Sequence, residues 1–155
     1  MKYRVALILV SLCAPAIAAQ KPVTPVPLPV SVDGLPIGAI PRQQLPPGGC
    51  AAFLWAKTPS GALVAMVTAS PGQLRFAPYG TLTDLVRTSQ SGGGLLGFAA
   101  TSSYAGGDLR VTIDMDVALR DDLKDGAVVQ QGTLRFERDG QDAVIVPVAG
   151  LVGCG

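Results

Sequence analysis

The chain has 155 residues, a length typical of one domain rather than several. Only 15% of the residues are charged and the formal net charge is +1, so the sequence predicts no basic surface that would attract nucleic acid. The chain contains no histidine, which excludes the histidine-dependent nucleophiles of serine and cysteine hydrolases and argues against a zinc or copper site. We therefore predict no catalytic residues, no metal ligands and no cofactor.

The first residues have the pattern of a secretory signal peptide. Lys2 and Arg4 precede the apolar run of residues 5–10, and small residues follow at positions 16–18. The apolar run is shorter than the roughly 20 residues that a membrane-spanning helix needs. We predict that residues 1–18 are removed on export, that the rest is not inserted in a membrane, and that the protein is periplasmic or secreted.

A rival interpretation retains Cys13 as the lipid-modified cysteine of a bacterial lipoprotein. Lipoprotein signals have an apolar run followed by a small residue directly before the cysteine. In this chain the residue directly before Cys13 is Leu12. The small residues at positions 16–18 are better explained by a signal peptidase site.

After cleavage, two cysteines remain, Cys50 and Cys154, and an even count in an exported chain predicts a disulfide bond. This bond would tie the start of the folded domain to its end.

A proline-rich segment follows the predicted signal peptide. Eight of the thirteen prolines lie between residues 20 and 49. Because proline lacks a backbone donor and has a fixed φ, we predict that residues 19–49 are extended rather than part of a central strand. The segment is interpreted as a spacer in preference to a ligand for an aromatic groove.

Residues 50–155 have the pattern of a disulfide-closed β domain. Residues 50–57, 62–69 and 73–77 are apolar or alternating runs separated by turn residues, and residues 108–119 alternate cleanly between apolar and polar. Residues 80–87 fit either helix or strand, and we favour strand. We predict an all-β fold, either a small antiparallel β-sandwich or a partly open barrel of about 7–8 strands.

The last predicted hairpin spans residues 127–148 and has its turn at Asp139 and Gly140. Asp-Gly is typical of two-residue turns, in which both positions need positive φ. Residues 144–148 are apolar on both faces, which predicts a strand buried on both sides. Residues 120–126 read as a charged connector, whereas the glycines of residues 89–94 predict a flexible loop.

Candidate binding residues are few. Tyr79 and Tyr104 lie beside glycines near strand ends, which favours exposed rings over core packing. The loop with Gly92, Gly93 and Gly94 could complete a binding patch, although it lacks the lysine signature of a phosphate-binding loop.

Two carboxylates share one strand face. Asp114 and Asp116 are two residues apart in a predicted strand, the arrangement that acid–base catalysis or calcium binding would need. We favour a solvated face on which these acids oppose Arg135 or Arg138 across the sheet. The stretch 121–126 resembles a calcium loop, but Leu123 and Gly132 occupy two ligand positions, so we predict an exposed turn.

These observations favour an exported, non-enzymatic cell-envelope module that binds another protein or contributes structure to an envelope assembly. Three alternatives remain: a small-ligand or glycan-binding β domain that uses the tyrosines, a pilus-like subunit completed by a neighbour's strand, and a hydrolase built on Asp114 and Asp116.

Overall fold

The computed structural model describes residues 27–155, and all of its regular structure is β-strand. The predicted signal peptide and the start of the proline-rich segment lie outside these residues. The strands are β1 (Ile37–Gly38), β2 (Cys50–Ala56), β3 (Leu63–Thr68), β4 (Gln73–Pro78), β5 (Thr83–Leu95), β6 (Phe98–Gly106), β7 (Leu109–Ala118), β8 (Gly126–Arg138) and β9 (Val144–Cys154). The predicted all-β class is confirmed. Within residues 27–155, no helix has the length and hydropathy required to span a membrane.

Strands β2 to β9 form a closed barrel. Each strand pairs antiparallel with the next along the chain, β4 pairs with β5, and β9 pairs with β2 from Cys50↔Cys154 to Ala56↔Val148. The ladder is therefore an eight-stranded up-and-down barrel, with β1 added beside β4. Of the two predicted architectures, the barrel is the one formed, and it is closed rather than partly open.

The interior is filled by alternating apolar side chains. In β7, Leu109, Val111, Ile113 and Met115 are buried whereas the intervening Asp114 is exposed, as the period of two predicts. Aromatic rings from opposite parts of the ladder meet in the core, where Phe76 and Phe136 make an edge-to-face contact with their centroids 5.7 Å apart. Full burial of each such side chain contributes about 1.5–3 kcal/mol.

The predicted disulfide bond is formed where the barrel closes. Cys50 and Cys154 are register partners on the first and last barrel strands, with their Cα atoms 4.0 Å apart. The bond joins residues 104 positions apart in the sequence. A structural disulfide of this kind is characteristic of oxidising compartments outside the cytoplasm.

Part of the proline-rich segment packs against one end of the barrel. Val32, Ile37 and Ile40 are buried, and strand β1 pairs with the end of β4. In the β2–β3 connection, Ser60 donates hydrogen bonds from its backbone and its hydroxyl to Asp33. The nearby Thr58 hydroxyl and the hydrogen bonds from Ser60 lower the pKa of Asp33. Residues 32–40 therefore cover the end of the barrel at which the β2–β3 and β4–β5 connections lie.

Two local predictions were wrong around the last hairpin. The connection spans residues 139–143 instead of two residues. A two-residue turn of the predicted type needs positive φ at both positions, and only Gly140, with a φ of +78°, has it; Asp139 does not. The Arg138 carbonyl accepts a hydrogen bond from the Gln141 amide, and the strand resumes only at Val144. Strand β9 is not buried on both faces, since the Ile145 side chain is 58% exposed.

Candidate functional site: a groove beside strand β7

The two tyrosines predicted to form a surface patch lie in different environments. Tyr79 is 41% exposed, and its hydroxyl donates a hydrogen bond to the Gln141 side chain at 2.8 Å. Its ring also packs edge-on against Phe136 and beneath the Arg138 guanidinium, which is 5.2 Å from the ring centroid. These contacts fasten the β4–β5 connection to the β8–β9 connection, so a structural role accounts for Tyr79.

Tyr104 is a core residue, and the prediction of an exposed ring was wrong for it. Its side chain is only 1% exposed because strand alternation turns it into the barrel. Ser102 and Arg87 are near the hydroxyl group, but neither meets hydrogen-bonding geometry with it, so the hydroxyl has no partner in the described structure. Burial raises the pKa of Tyr104, and the nearby Ser102 and Arg87 offset part of this effect.

The glycine triplet belongs to a strand rather than to a loop. Gly92, Gly93 and Gly94 lie in β5, which runs to Leu95 and pairs with β6 across two register shifts. Strand β5 pairs with β4 only over residues 83–86, so its second half has β6 as its single neighbour. A Cβ atom placed on Gly97, in the hairpin turn, would be 2.9 Å from the Ala69 side chain, which shows that the hairpin tip bends over the β3–β4 turn.

This bend separates β6 from β7. The β6–β7 ladder ends at Thr101↔Asp114, although β7 continues to Ala118 and β6 begins at Phe98. Residues 115–118 of β7 therefore have ladder partners on β8 alone. A wedge opens between the two strands beyond the last paired residues.

A surface groove occupies the wedge and the adjoining outer face. It consists of two contiguous cavities of about 380 and 270 Å³. Both are lined by Ala100, Met115 and Asp116. The larger is also lined by Thr101, Asp114, Gln131, Gly132 and Thr133, and the smaller by Gly93, Gly94, Leu95, Phe98, Ala99 and Val117. The groove thus unites the predicted acidic pair with two of the three predicted glycines, and excludes both tyrosines.

The apolar floor of this groove is formed by Leu95, Phe98 and Met115, of which Phe98 and Met115 are almost fully buried. Its rim is polar. Asp114 accepts hydrogen bonds from the Thr101 hydroxyl at 2.7 Å and from the Thr133 hydroxyl at 3.2 Å. An apolar floor with a polar rim suits a ligand that has both kinds of group.

The acidic pair has different neighbours from those predicted. Asp114 lies opposite Thr133 and Asp116 lies opposite Gln131, so neither faces an arginine across the sheet. Arg135 pairs instead with Glu137, and Arg138 pairs with Asp108. Among residues 27–155, neither acid of the groove takes part in an ion pair. No group of three or more metal-ligating side chains occurs in that part of the chain.

The groove lacks the platform that sugar binding commonly uses. Phe98 is the one aromatic residue in its lining, and its side chain is only 2% exposed. Two further surface cavities, one beside Gly92 and one beside Phe53, are likewise not lined by Tyr79 or Tyr104. The small-ligand prediction based on those tyrosines therefore has no cavity to support it among the four described.

A second surface feature is an uncharged outer wall. Strands β2, β3 and β9 are neighbours in the barrel, and none of them contains Asp, Glu, Lys or Arg. We use "apolar wall" for their outward side chains, which are Phe53, Trp55, Met66, Ile145, Pro147, Ala149 and Leu151. Phe53 is the register partner of both Met66 and Leu151, so the wall is continuous across three strands. This wall was not predicted from the sequence, because residues 144–148 of β9 were interpreted as buried on both faces.

The apolar wall is bordered by charged pairs. Arg75 on β4 makes a salt bridge of 2.7 Å with Asp84 on β5, and Arg135 bonds Glu137 on β8 at 2.8 Å. The barrel surface is therefore divided between an uncharged side and a side that holds the groove and most of the strand charges. No protein-family model, curated protein or solved structure gave a significant match to this chain.

Proposed function

We propose that the protein is an exported, non-enzymatic module of the cell envelope that binds another protein through the apolar wall. The single observation that carries this proposal is the set of three adjacent strands without an ionisable side chain. Soluble proteins rarely expose large contiguous apolar surfaces unless these contact a partner. Ile145 and Leu151 are 58% and 46% exposed, so the β9 part of the wall is open to a partner, whereas Phe53, Trp55 and Met66 are half-buried.

The outward side chains of the apolar wall are not part of the packed barrel interior. Alternation turns Val146, Val148 and Val152 of β9 into the barrel, where each is at most 3% exposed. The outward residues between them add little to that packing. Apolar side chains at these positions are therefore better explained by contact with a partner than by folding.

Export is supported by the disulfide bond and by the signal-like start of the sequence. The bond between Cys50 and Cys154 requires an oxidising compartment to persist. Residues 1–18 have the charge and hydropathy pattern of a secretory signal peptide. Together they favour a periplasmic or secreted location.

Two of the sequence alternatives receive less support. A pilus-like subunit would need a groove left by a missing strand, whereas all eight barrel strands are paired into a closed ladder. A hydrolase built on Asp114 and Asp116 would need one carboxyl group in a setting that keeps it protonated, and both side chains are exposed to solvent.

The test is site-specific photocrosslinking in the intact envelope at native abundance. A photoreactive phenylalanine analogue at Leu151 is compared with the same analogue at Val86, an exposed apolar residue of β5 outside the wall. We expect a discrete adduct with another protein from position 151 and none from position 86. Recovery of monomer alone from both positions contradicts the proposal, as does an equal yield of the same adduct from both.

A further inference from the structure

We propose that the groove beside β7 is a second binding site, which takes an extended peptide segment with basic side chains. The peptide adds a short strand to the free edge of β7 at residues 115–118. This site is separate from the apolar wall and does not depend on it. The class of partner follows from the free edge, the size of the groove and its charge.

The free edge supplies backbone hydrogen-bonding groups. Successive residues of a strand direct their backbone groups to opposite sides, so alternate residues of 115–118 point away from β8 and toward the groove. The β6–β7 ladder has already ended at Thr101↔Asp114, and among residues 27–155 no other backbone hydrogen bond reaches residues 115–118 from that side. An extended peptide can occupy these positions by strand addition, the mode in which main-chain hydrogen bonds provide affinity.

The groove follows the free edge over the length of a short strand. A neighbouring strand lies about 4.8 Å away and advances about 3.4 Å per residue. The cavities of about 380 and 270 Å³ run along β7 from Asp114 to Val117. On the opposite side, Gly93 and Gly94 present backbone without side chains, which leaves the groove open toward the β5–β6 hairpin.

The chemistry of the lining favours alternating basic and apolar side chains on the peptide. Asp114 and Asp116 project from the same face of β7 and have no cationic partner among residues 27–155. A lysine or arginine of the peptide would supply one. The peptide side chains that alternate with the basic ones would point to the floor of the groove, where Met115 and Phe98 line the cavity.

The protein's own proline-rich segment does not fit this site. Prolines at positions 22, 25, 27 and 29 each remove a backbone donor that a strand ladder requires. In addition, residues 32–40 are held at the other end of the barrel, beside the β2–β3 connection. The occupant is therefore a segment of another polypeptide.

The test is NMR titration of the processed, disulfide-bonded protein with a blocked hexapeptide of alternating lysine and valine. We expect saturable amide shifts confined to residues 93–100, 114–118 and 131–133, with slower hydrogen exchange in residues 115–118. The absence of saturable shifts at millimolar peptide overturns the proposal. Shifts confined to the free half of β5, residues 88–95, overturn it as well, since they would place the peptide on the other open edge.

Two matched peptides distinguish the contribution of backbone hydrogen bonds to binding from the contribution of side-chain charge. N-methylation of alternate peptide amides removes the ladder donors and retains every side chain, and it should weaken binding at least tenfold. Replacement of the lysines by glutamates reverses the charge and should abolish binding. If the N-methylated peptide binds as tightly as the parent, strand addition is wrong.

Two matched protein variants test the acids. Asp116→Asn should weaken binding about fivefold at low salt, which is the scale of one exposed ion pair. Asp142→Asn makes the same charge change in the β8–β9 connection and should leave binding unchanged. Equal effects of the two variants would overturn a local role for Asp116. Ile145→Lys in the apolar wall, with the photoreactive analogue kept at position 151, should leave peptide binding unchanged but remove the photocrosslinked adduct, so the two proposals fail separately.

Discussion

Loss of the disulfide bond should lower the free energy of unfolding by several kcal/mol without opening the folded barrel. Cys50 and Cys154 are 104 residues apart, so their bond closes almost the whole described barrel into one loop in the unfolded chain. For a loop of about 100 residues, the chain-entropy model gives about 4.7 kcal/mol. The β2–β9 ladder continues from the cysteines to Ala56↔Val148, and its pairing does not require the bond. The variant with both cysteines replaced by serine should therefore fold to the same barrel at lower stability.

The assay is equilibrium unfolding in guanidinium chloride, followed by circular dichroism, for the oxidised protein and the double variant. We expect a loss of about 3–5 kcal/mol and a larger denaturant dependence, because an unbridged unfolded chain exposes more surface. Each single serine variant should match the double variant, since either one removes the bond. A loss below about 1 kcal/mol would refute the chain-entropy reasoning for this barrel.

Three further predictions concern single side chains. Hydrogen bonding to Arg75 lowers the pKa of Asp84, so this pair stabilises the fold above the unfolded pKa of 3.8, and its contribution is lost as the pH falls through the lower folded pKa. Asp84→Asn should therefore cost about 0.5 kcal/mol at pH 7 and progressively less as the pH is lowered below 3.8, measured by urea unfolding. Tyr104→Phe removes a buried hydroxyl group that has no hydrogen-bond partner among residues 27–155, so thermal unfolding should show equal or higher stability. A loss above about 1 kcal/mol would contradict this interpretation. Gly150→Ala would place a Cβ atom in steric conflict with the Phe53 carbonyl oxygen of β2 and should cost about 2–3 kcal/mol, whereas Gly93→Ala, with no atom of residues 27–155 within 4 Å, should change stability by less than about 0.5 kcal/mol.

The features that the sequence predicted correctly depend on local rules. Period-two alternation in residues 109–117 predicted β7 and its buried face, and the even number of cysteines after the predicted signal peptide predicted the Cys50–Cys154 bond. Both predictions use only the residue types and their spacing in the sequence, which do not depend on tertiary contacts. They were sufficient for the all-β class, but they did not decide between a sandwich and a barrel, because closure depends on which strands pair at long range.

The features that the sequence missed depend on tertiary context. Glycines at positions 92–94 predicted a loop, yet pairing with β6 holds them in a strand. Tyr104 was expected at the surface because glycines follow it, but the alternation of side chains along β6 directs its ring into the barrel. Asp114 and Asp116 were correctly placed on one exposed face, whereas their neighbours depended on the β7–β8 register, which no local pattern fixes.

The division of the barrel surface follows from its closure. A closed barrel has no free edge around most of its circumference, so it does not need charged side chains on every strand to prevent edge pairing. This freedom allows β2, β3 and β9 to remain uncharged. One exception is the wedge beyond Thr101↔Asp114, where β7 has a free edge, and there the exposed side chains include two acids. Charge at a free edge opposes indiscriminate strand pairing and, by the same electrostatics, selects a basic segment over a neutral or acidic one. The acids of β7 can therefore both protect the barrel from association with copies of itself and select the peptide that the groove admits.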